Sequence, residues 1–406
     1  MTTNEGPSLP LDGVKVLDFS RLLPGPWCTQ LLSDLGARVI KVEIPETGDM
    51  SRHNPPGYKS SSAYFEGVNG GKESISLNMA NTEGKDIARR LIKTADVVVE
   101  SFRPGVASKL GMGYNDVKAE NPKLVYCSIS GFGQDGPLAH ISGHDLAIQA
   151  QAGFVGLSAL GGQLPQVPPF QAADYAGGAM ASIAVLSALM RRGISGEGSY
   201  LDIAMFDSLF AMCNITHTAG MVRSAGHSGT PAIEVWGGNP RYSIYGTKDN
   251  RAVAVALLET RLWVAFCEAI GRHDLIRDED PDARHSDHGE MADEYRSAIA
   301  NYCLSKNLVE LIEEMTEHGV PITPVATPDE ALASTNVAGR GLITTIDHPH
   351  EGRIPQMVNT LAKSGLGHAH RTPAPRLGAD NNSVLEELGL SKDDVQQLQK
   401  SGVIGE

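Results

Sequence analysis

The stretch LDGVKVLDFSRLLPGPWCTQLLSDLGARVIKVE, residues 11–43, decides the fold class. Val14–Phe19 reads as a strand because apolar residues crowd into a short run. Gly25-Pro26 interrupts the chain, and Trp27, Leu31, Leu32 and Leu35 then recur at helical spacing until Gly36 ends the helix. Val39–Val42 returns to strand. Two strands separated by one helix in so few residues lie parallel, with the helix as their crossover.

The alternation continues outward. Ile87, Ala88, Leu91 and Ile92 mark a helix ahead of the strand Val97–Val99, and Leu124–Ile129 is a further strand. Short, dense runs of this kind suit parallel strands covered by helices on both faces, so an α/β fold is expected. Asp49–Lys72 carries Pro55, Pro56 and little periodicity, and reads as a loop bordering a site. Helices are expected over Ala176–Arg191 and Ile203–His217. A Gly/Pro-rich crossover over 218–245 leads to a smaller region running from Tyr242 to about Pro324. There a strand Arg251–Leu258 precedes helices Thr260–Ile270, Glu290–Cys303 and Leu308–His318, and His273–Asp287 reads as an exposed loop. Strand-like runs resume after Val320-Pro321. Ser383–Leu388 is the last clear helix signal, and Lys392–Leu398 is polar with intermittent apolar residues.

Composition narrows the function. The 406 residues are 41% apolar and 20% charged, as in globular enzymes, and the net charge of −14 disfavours nucleic acid as a partner. A small anionic ligand stays possible, because it needs only a local set of Lys, Arg and backbone N–H groups. The runs Ile183–Met190 and Ala252–Leu258 are far shorter than a membrane span, and no secretory leader is evident, so a cytoplasmic protein is expected. Cys28, Cys127, Cys213, Cys267 and Cys303 lack metal-ligand spacing and the histidines are dispersed, so no metal site is expected. The turn Leu22–Pro26 lacks the spaced glycines of a dinucleotide site, which leaves Glu43, after the second strand, without a ribose-binding role.

Three places invite chemistry. Asp174 lies in AADYAGG, residues 172–178, ahead of an apolar helix. Capping alone accounts for such an acid, but Gly177-Gly178 also permits close backbone approach, with room for a ligand. His144 is either structural or a proton carrier with a pKa near neutrality, and Asp145 is placed to cap the helix that follows it. Glu259, between a strand-like run and Trp263, is a cap, a solvated acid or a cleft residue.

Several separated motifs resemble the class III CoA-transferase family, which includes carnitine and formyl-CoA transferases and the 2-methylacyl-CoA racemases. They are the opening stretch extended to Asp49, VESFRPGV at 99–106, NPKLVYCSISGFGQDGP at 121–137, GEGSYLDIAMFDSLF at 196–210 and the tail PAPRLGADNNSVLEELG. The resemblance runs from about residue 10 to 404. It implies a large Rossmann-like domain built from both chain ends, here 1–220 and 325–406, and a linker and small α/β domain over 221–324. It also implies a homodimer whose subunits interlock like links of a chain. Asp174 matches the catalytic aspartate. His144 matches a position that is Tyr in formyl-CoA transferases and His in racemases. Lys123 matches a basic residue near bound CoA, and Lys72 and Arg103 are further expected contacts to its nucleotide or diphosphate. No cofactor is permanently bound on this reading; the CoA thioester is the substrate, and a carboxylic acid its partner.

The departures separate two functions. Formyl-transferring members carry Gln where this chain has Leu23, and basic residues where it has Ile44 and Glu73, which argues against simple formyl-CoA:oxalate transfer. Their glycine-rich loop is not evident between 231 and 260, where Gly237-Gly238 is a poor substitute. Leu23-Pro24-Gly25-Pro26, His144 and Glu259 lean toward a racemase, in which His144 and Asp174 would exchange a proton at the α-carbon and Glu259 would tune His144. The run LAIQAQAG at 146–153 and the 172–210 region lean toward a transferase. The expected activity is transfer of CoA from an acyl-CoA to a free carboxylic acid through an aspartyl intermediate, with racemisation of 2-methylacyl-CoA as the alternative.

Overall fold

Six strands form the central sheet: β1 Lys15–Asp18, β2 Arg38–Glu43, β3 Glu73–Ser76, β4 Val97–Glu100, β5 Val125–Ser130 and β6 Ser199–Ala204. They lie in the order β3-β2-β1-β4-β5-β6 and every pairing is parallel. The computed structural model describes residues 9–159, 164–227, 238–277, 288–368 and 370–405. β4 and β5 are buried along their whole length, as strands covered on both faces must be. The connections run outward from β1 in one direction and from β4 in the other. The chain therefore reverses between β1 and β4, and a crevice opens beyond their carboxyl ends.

β3 and β6 escape a reading based on apolar runs. β3 is the polar sequence ESIS, yet Ser74 and Ser76 are buried, because their polar atoms find partners in Glu43 and Asn381. β6 occupies residues expected to begin a helix. Ile203 instead pairs in register with Ile129, and the helix starts only at Met205 and ends at Met212. Asp49–Lys72 is likewise more ordered than expected. Ser62 accepts the amides of Tyr64 and Phe65 and so starts a helix over Ala63–Asn69. The polar tail Lys392–Lys400 is a helix begun by the capping box of Ser391 and Asp394, and its intermittent Val395 and Leu398 are buried.

The helix Ala172–Ser195 is long and apolar enough to cross a membrane, and 44% of its most apolar window is buried inside the protein. It packs on the helix Pro24–Asp34. A Cβ on Gly178 would stand 2.6 Å from the Pro24 carbonyl oxygen and 2.9 Å from Trp27, and one on Gly177 would stand 2.7 Å from Met205. These glycines are small to admit other parts of the protein, not a ligand, contrary to one reading of the sequence. The segment from Thr335 returns beside β3, where Ser74 N–H donates to Asp380 and Ser76 N–H to Asn381. Its hairpin is β10 Ile343–His348 with β11 Gly352–Met357, counted after three strands of a second unit.

The chain divides into two compact units, one of Met1–Gly156, Leu164–Asn214 and Thr335–Glu406, the other of Leu157–Gln163 and Ile215–Ser334. In the second, β7 Tyr242–Gly246, β8 Ala252–Ala256 and β9 Ile322–Pro324 form an antiparallel sheet. Helices Thr260–Ala269, Ala292–Ser305 and Leu308–Glu317 supply its core with Trp263, Phe266, Tyr295, Ile299 and Leu311. Of the polar loop expected over His273–Asp287, residues 278–287 lie outside the described residues, as does Gly237.

Candidate active site

A cleft of ≈ 1030 Å³ opens beyond the carboxyl ends of β1, β4 and β5, at the reversal point of the sheet. The turn after β1 supplies Arg21, Leu22 and Pro24 to its wall, the turn after β4 supplies Ser101 to Pro104, and β5 leads into Ser130 and Gly131. His144 and Asp174 line the same cleft. All these residues belong to the first unit. Among the described residues Asp174 is the only acid in this wall, which also holds Arg21 and Arg103, so the cleft is locally basic in an acidic protein.

Asp174 is the third residue of the helix Ala172–Ser195, yet it does not cap it. Asp145 does. Its Oδ1 accepts the amides of Ala173 at 2.8 Å and Asp174 at 3.2 Å, and its Oδ2 accepts Gln149 Nε2. Asp145 was expected to cap the helix in which it stands, Asp145–Gln151; it caps the next one. A cap of this kind contributes about 1 kcal/mol and ties the two helices together. Tyr175 stacks on Phe170 at 5.0 Å and meets Trp27 edge-on at 5.4 Å, which further fixes the first turn.

With the helix start thus satisfied, the Asp174 carboxylate makes no hydrogen bond or ion pair among the described residues. Burial pushes its pKa up to about 7, and the charge of Asp145 adds to that rise. His144 is exposed at the N-cap of the helix Asp145–Gln151, with no capping hydrogen bond from its ring.

A second cleft adjoins the first. Ile44, Leu77, Met79 and Leu110 line an apolar slot of ≈ 570 Å³, and Arg21 and Phe102 belong to both walls. The two share a wall, so an apolar slot opens beside a basic cleft that ends at a carboxylate. Ile44, noted for replacing an Arg, is part of the apolar slot. Leu23 is buried and does not line the cleft, whereas Leu22 does. Arg21 was not singled out from the sequence, and its place directly after β1 is the signal that points to it.

Two expected CoA contacts, Lys72 and Lys123, are not in the cleft wall. Lys72 is fully buried, with Nζ donating to Asp18 at 3.1 Å, Pro26 O at 3.0 Å, Thr29 Oγ1 at 2.7 Å and Asn69 Oδ1 at 2.9 Å. No N–H of Lys72 remains for a phosphate, so its expected role as a CoA contact is corrected to a structural one. Lys123 is exposed just before β5, whereas Ser130 and Gly131 meet the cleft at the other end. Six strand residues, roughly 20 Å, lie between them. Glu259 belongs to the second unit, where it is exposed at the N-cap of the helix Thr260–Ala269 and makes no side-chain cap. Glu73 grips Arg38 at 2.6 and 2.8 Å, and Glu43 grips Arg52 at 2.7 and 2.8 Å, which accounts for both acids structurally. All five cysteines are buried, and among the described residues there is no disulfide and no metal-holding cluster of His, Cys, Asp and Glu.

Known proteins resemble this chain over nearly its whole length. A family model described as CoA-transferase family III matches residues 11–381. The chain is 32% identical to a succinate–glutarate CoA-transferase of Agrobacterium fabrum, over 93% of this chain and 96% of that one. It is also 32% identical to an acetyl-CoA:oxalate CoA-transferase of Acetobacter aceti, over 95% and 98%. A solved CAIB/BAIF family protein from Brucella suis superposes with a TM-score of 0.79 at 31% identity, covering 94% of this chain and 100% of that one. The matches span nearly the whole chain, and the chain is an enzyme that belongs to CoA-transferase family III.

Proposed function

We propose that this enzyme moves CoA from an acyl-CoA to a free carboxylic acid through covalent intermediates on Asp174. One observation carries the reading: an unpartnered, half-buried carboxylate with a pKa raised to about 7 faces a cleft walled by Arg21 and Arg103. The arginines suit the phosphates of CoA, and the adjoining apolar slot suits its base.

Asp174 in its ionised form attacks the thioester carbonyl, the C–S bond breaks and CoA leaves as thiolate. The product is a mixed anhydride between Asp174 and the donor acyl group. The thiolate then attacks the Asp174 carbonyl carbon, which frees the donor acid and leaves an aspartyl-CoA thioester. An incoming carboxylate repeats the two steps in reverse, leaving as its own CoA thioester and restoring the Asp174 carboxylate. Splitting the exchange in this way replaces one hard step with several activated ones. His144, in the same cleft, is placed to orient the acid or to donate to a developing oxyanion.

The exposed apolar residues Ile183, Met190 and Ile194 on the helix Ala172–Ser195, with Phe210 and Met212 on the helix that follows β6, support the homodimer implied by the family resemblance. Five buried cysteines that form no disulfide among the described residues suit a reducing, cytoplasmic setting.

The test is mass spectrometry of enzyme quenched during turnover, in heavy water, with and without an acceptor acid. A CoA adduct on the peptide carrying Asp174 is expected. Full transfer by an Asp174→Asn variant would refute the mechanism, and deuterium entering the α-carbon without an acceptor would favour racemisation at the same cleft.

A further inference from the structure

The turn leaving β1 contains an anomaly. Leu22 has φ +65°, a left-handed conformation that a leucine rarely adopts. Its amide donates to both carboxylate oxygens of Asp49, at 3.1 and 3.2 Å. Asp49 is buried, accepts the Ser51 amide at 2.9 Å, and pairs with Lys41 Nζ at 2.9 Å. Lys41, also buried, donates in turn to the Ser20 carbonyl oxygen at 2.9 Å. One ion pair thus holds two points of a single turn, Ser20 through the lysine and Leu22 through the aspartate. Arg21 stands between them, and with Phe102 it lines both the cleft of Asp174 and the apolar slot.

We propose that Asp49 and Lys41 are positioning residues of the acyl-CoA site, clamping Ser20 and Leu22 so that Arg21 and Leu22 present a fixed wall to the bound thioester. This rests on the reading that the Asp174 cleft takes acyl-CoA. Neither clamp residue acts on the reacting atoms. Asp49 acts through the Leu22 amide, and Lys41 acts through the Ser20 carbonyl and by keeping Asp49 paired. Asparagine at 49 would still accept one hydrogen bond, but it loses the charge that engages Lys41 and the second oxygen that engages the amide.

The clamp has a signature that general destabilisation lacks. If Asp49 works by holding Leu22 left-handed, its importance vanishes when residue 22 needs no holding. Glycine adopts φ +65° without strain, whereas alanine removes the same side chain and keeps the restriction. The experiment measures KM and kcat for acyl-CoA with Asp49→Asn made in three full-length backgrounds: native, Leu22→Ala and Leu22→Gly. In the first two, D49N is expected to lower kcat/KM by roughly tenfold to a hundredfold, mainly through KM, the scale of a displaced binding group. In the L22G background the loss shrinks to less than about twofold, the range of independent sites. Equal losses in all three backgrounds, or no loss in the native one, overturn the proposal. Should D49N fail to fold, the pair K41M and D49N leaves no unpaired buried lysine and carries the same comparison. Every variant keeps Asp174, so the two readings fail separately. Retention of transfer by D174N sinks the mechanism, while a background-independent D49N loss beside an inactive D174N sinks the clamp alone.

Discussion

Two sets of carboxylates lie at the carboxyl edge of one sheet and have opposite electrostatics. Beyond β1 and β2, Asp18 and Asp49 are buried against Lys41 and Lys72. Burial by itself would raise both acids, but the two lysines outweigh it for Asp18, and Lys41 with the Ser51 and Leu22 amides outweighs it for Asp49, so both stay below the usual carboxylate range. At the start of the helix Ala172–Ser195, Asp174 forms no ion pair among the described residues. Burial raises it, Asp145 raises it further, and nothing offsets either. The comparison teaches that depth does not mark a reactive acid. Asp18 is the more buried of the two, and its full set of partners makes it inert. On the proposed mechanism Asp174 is the reactive acid: the helix amides of Ala173 and Asp174 donate to Asp145, and the Asp174 carboxylate keeps no partner among the described residues.

The largest effect expected from this contrast is on turnover. D174N should lower kcat/KM by roughly 10,000-fold or more, the scale on which losing a covalent nucleophile is felt, while leaving the melting temperature intact or higher. D18N should do the reverse. It leaves Lys72 buried without its counter-ion and should lower unfolding free energy by about 3–5 kcal/mol in urea denaturation, because the uncompensated charge remains inside. Equal effects of the two variants on both readouts would erase the distinction.

The pH dependence sharpens it. A nucleophilic Asp174 must be ionised, so kcat/KM should fall as pH drops below about 7. D145N removes the neighbouring charge and should move that limb to lower pH, which a pH–rate profile checks. Stability carries the opposite sign. Native Asp174 keeps its proton to about pH 7, whereas the unfolded carboxyl loses it near 3.8. Between those values the native state binds more protons, so this group's contribution to stability falls as pH rises through the window. D174N should flatten that slope in melts at several pH values. The smallest effect is expected at Lys123. K123A should leave KM for acyl-CoA within about twofold, as for a surface change remote from the site, whereas R103A should raise it by roughly tenfold or more.

Much of this molecule was legible in the sequence, and the parts that were not share a cause. Periodicity located β1, β2, β4, β5 and the main helices, since a buried strand or an amphipathic helix must repeat its apolar residues along the chain. Motif order also singled out Asp174, His144 and Arg103, and the structure brings all three to one cleft. Polarity hid β3, whose serines are satisfied by the distant Glu43 and Asn381, and the last helix, whose Ser391–Asp394 capping box is local but whose apolar residues are few. The roles of Lys72, Lys123 and Asp145 were decided only by tertiary structure. A lysine reads the same in sequence whether it meets a phosphate or an aspartate, and only the folded chain says which end of a strand it occupies. Whether an acid is capped, paired or left alone depends on donors contributed by other segments, and local pattern holds no record of them.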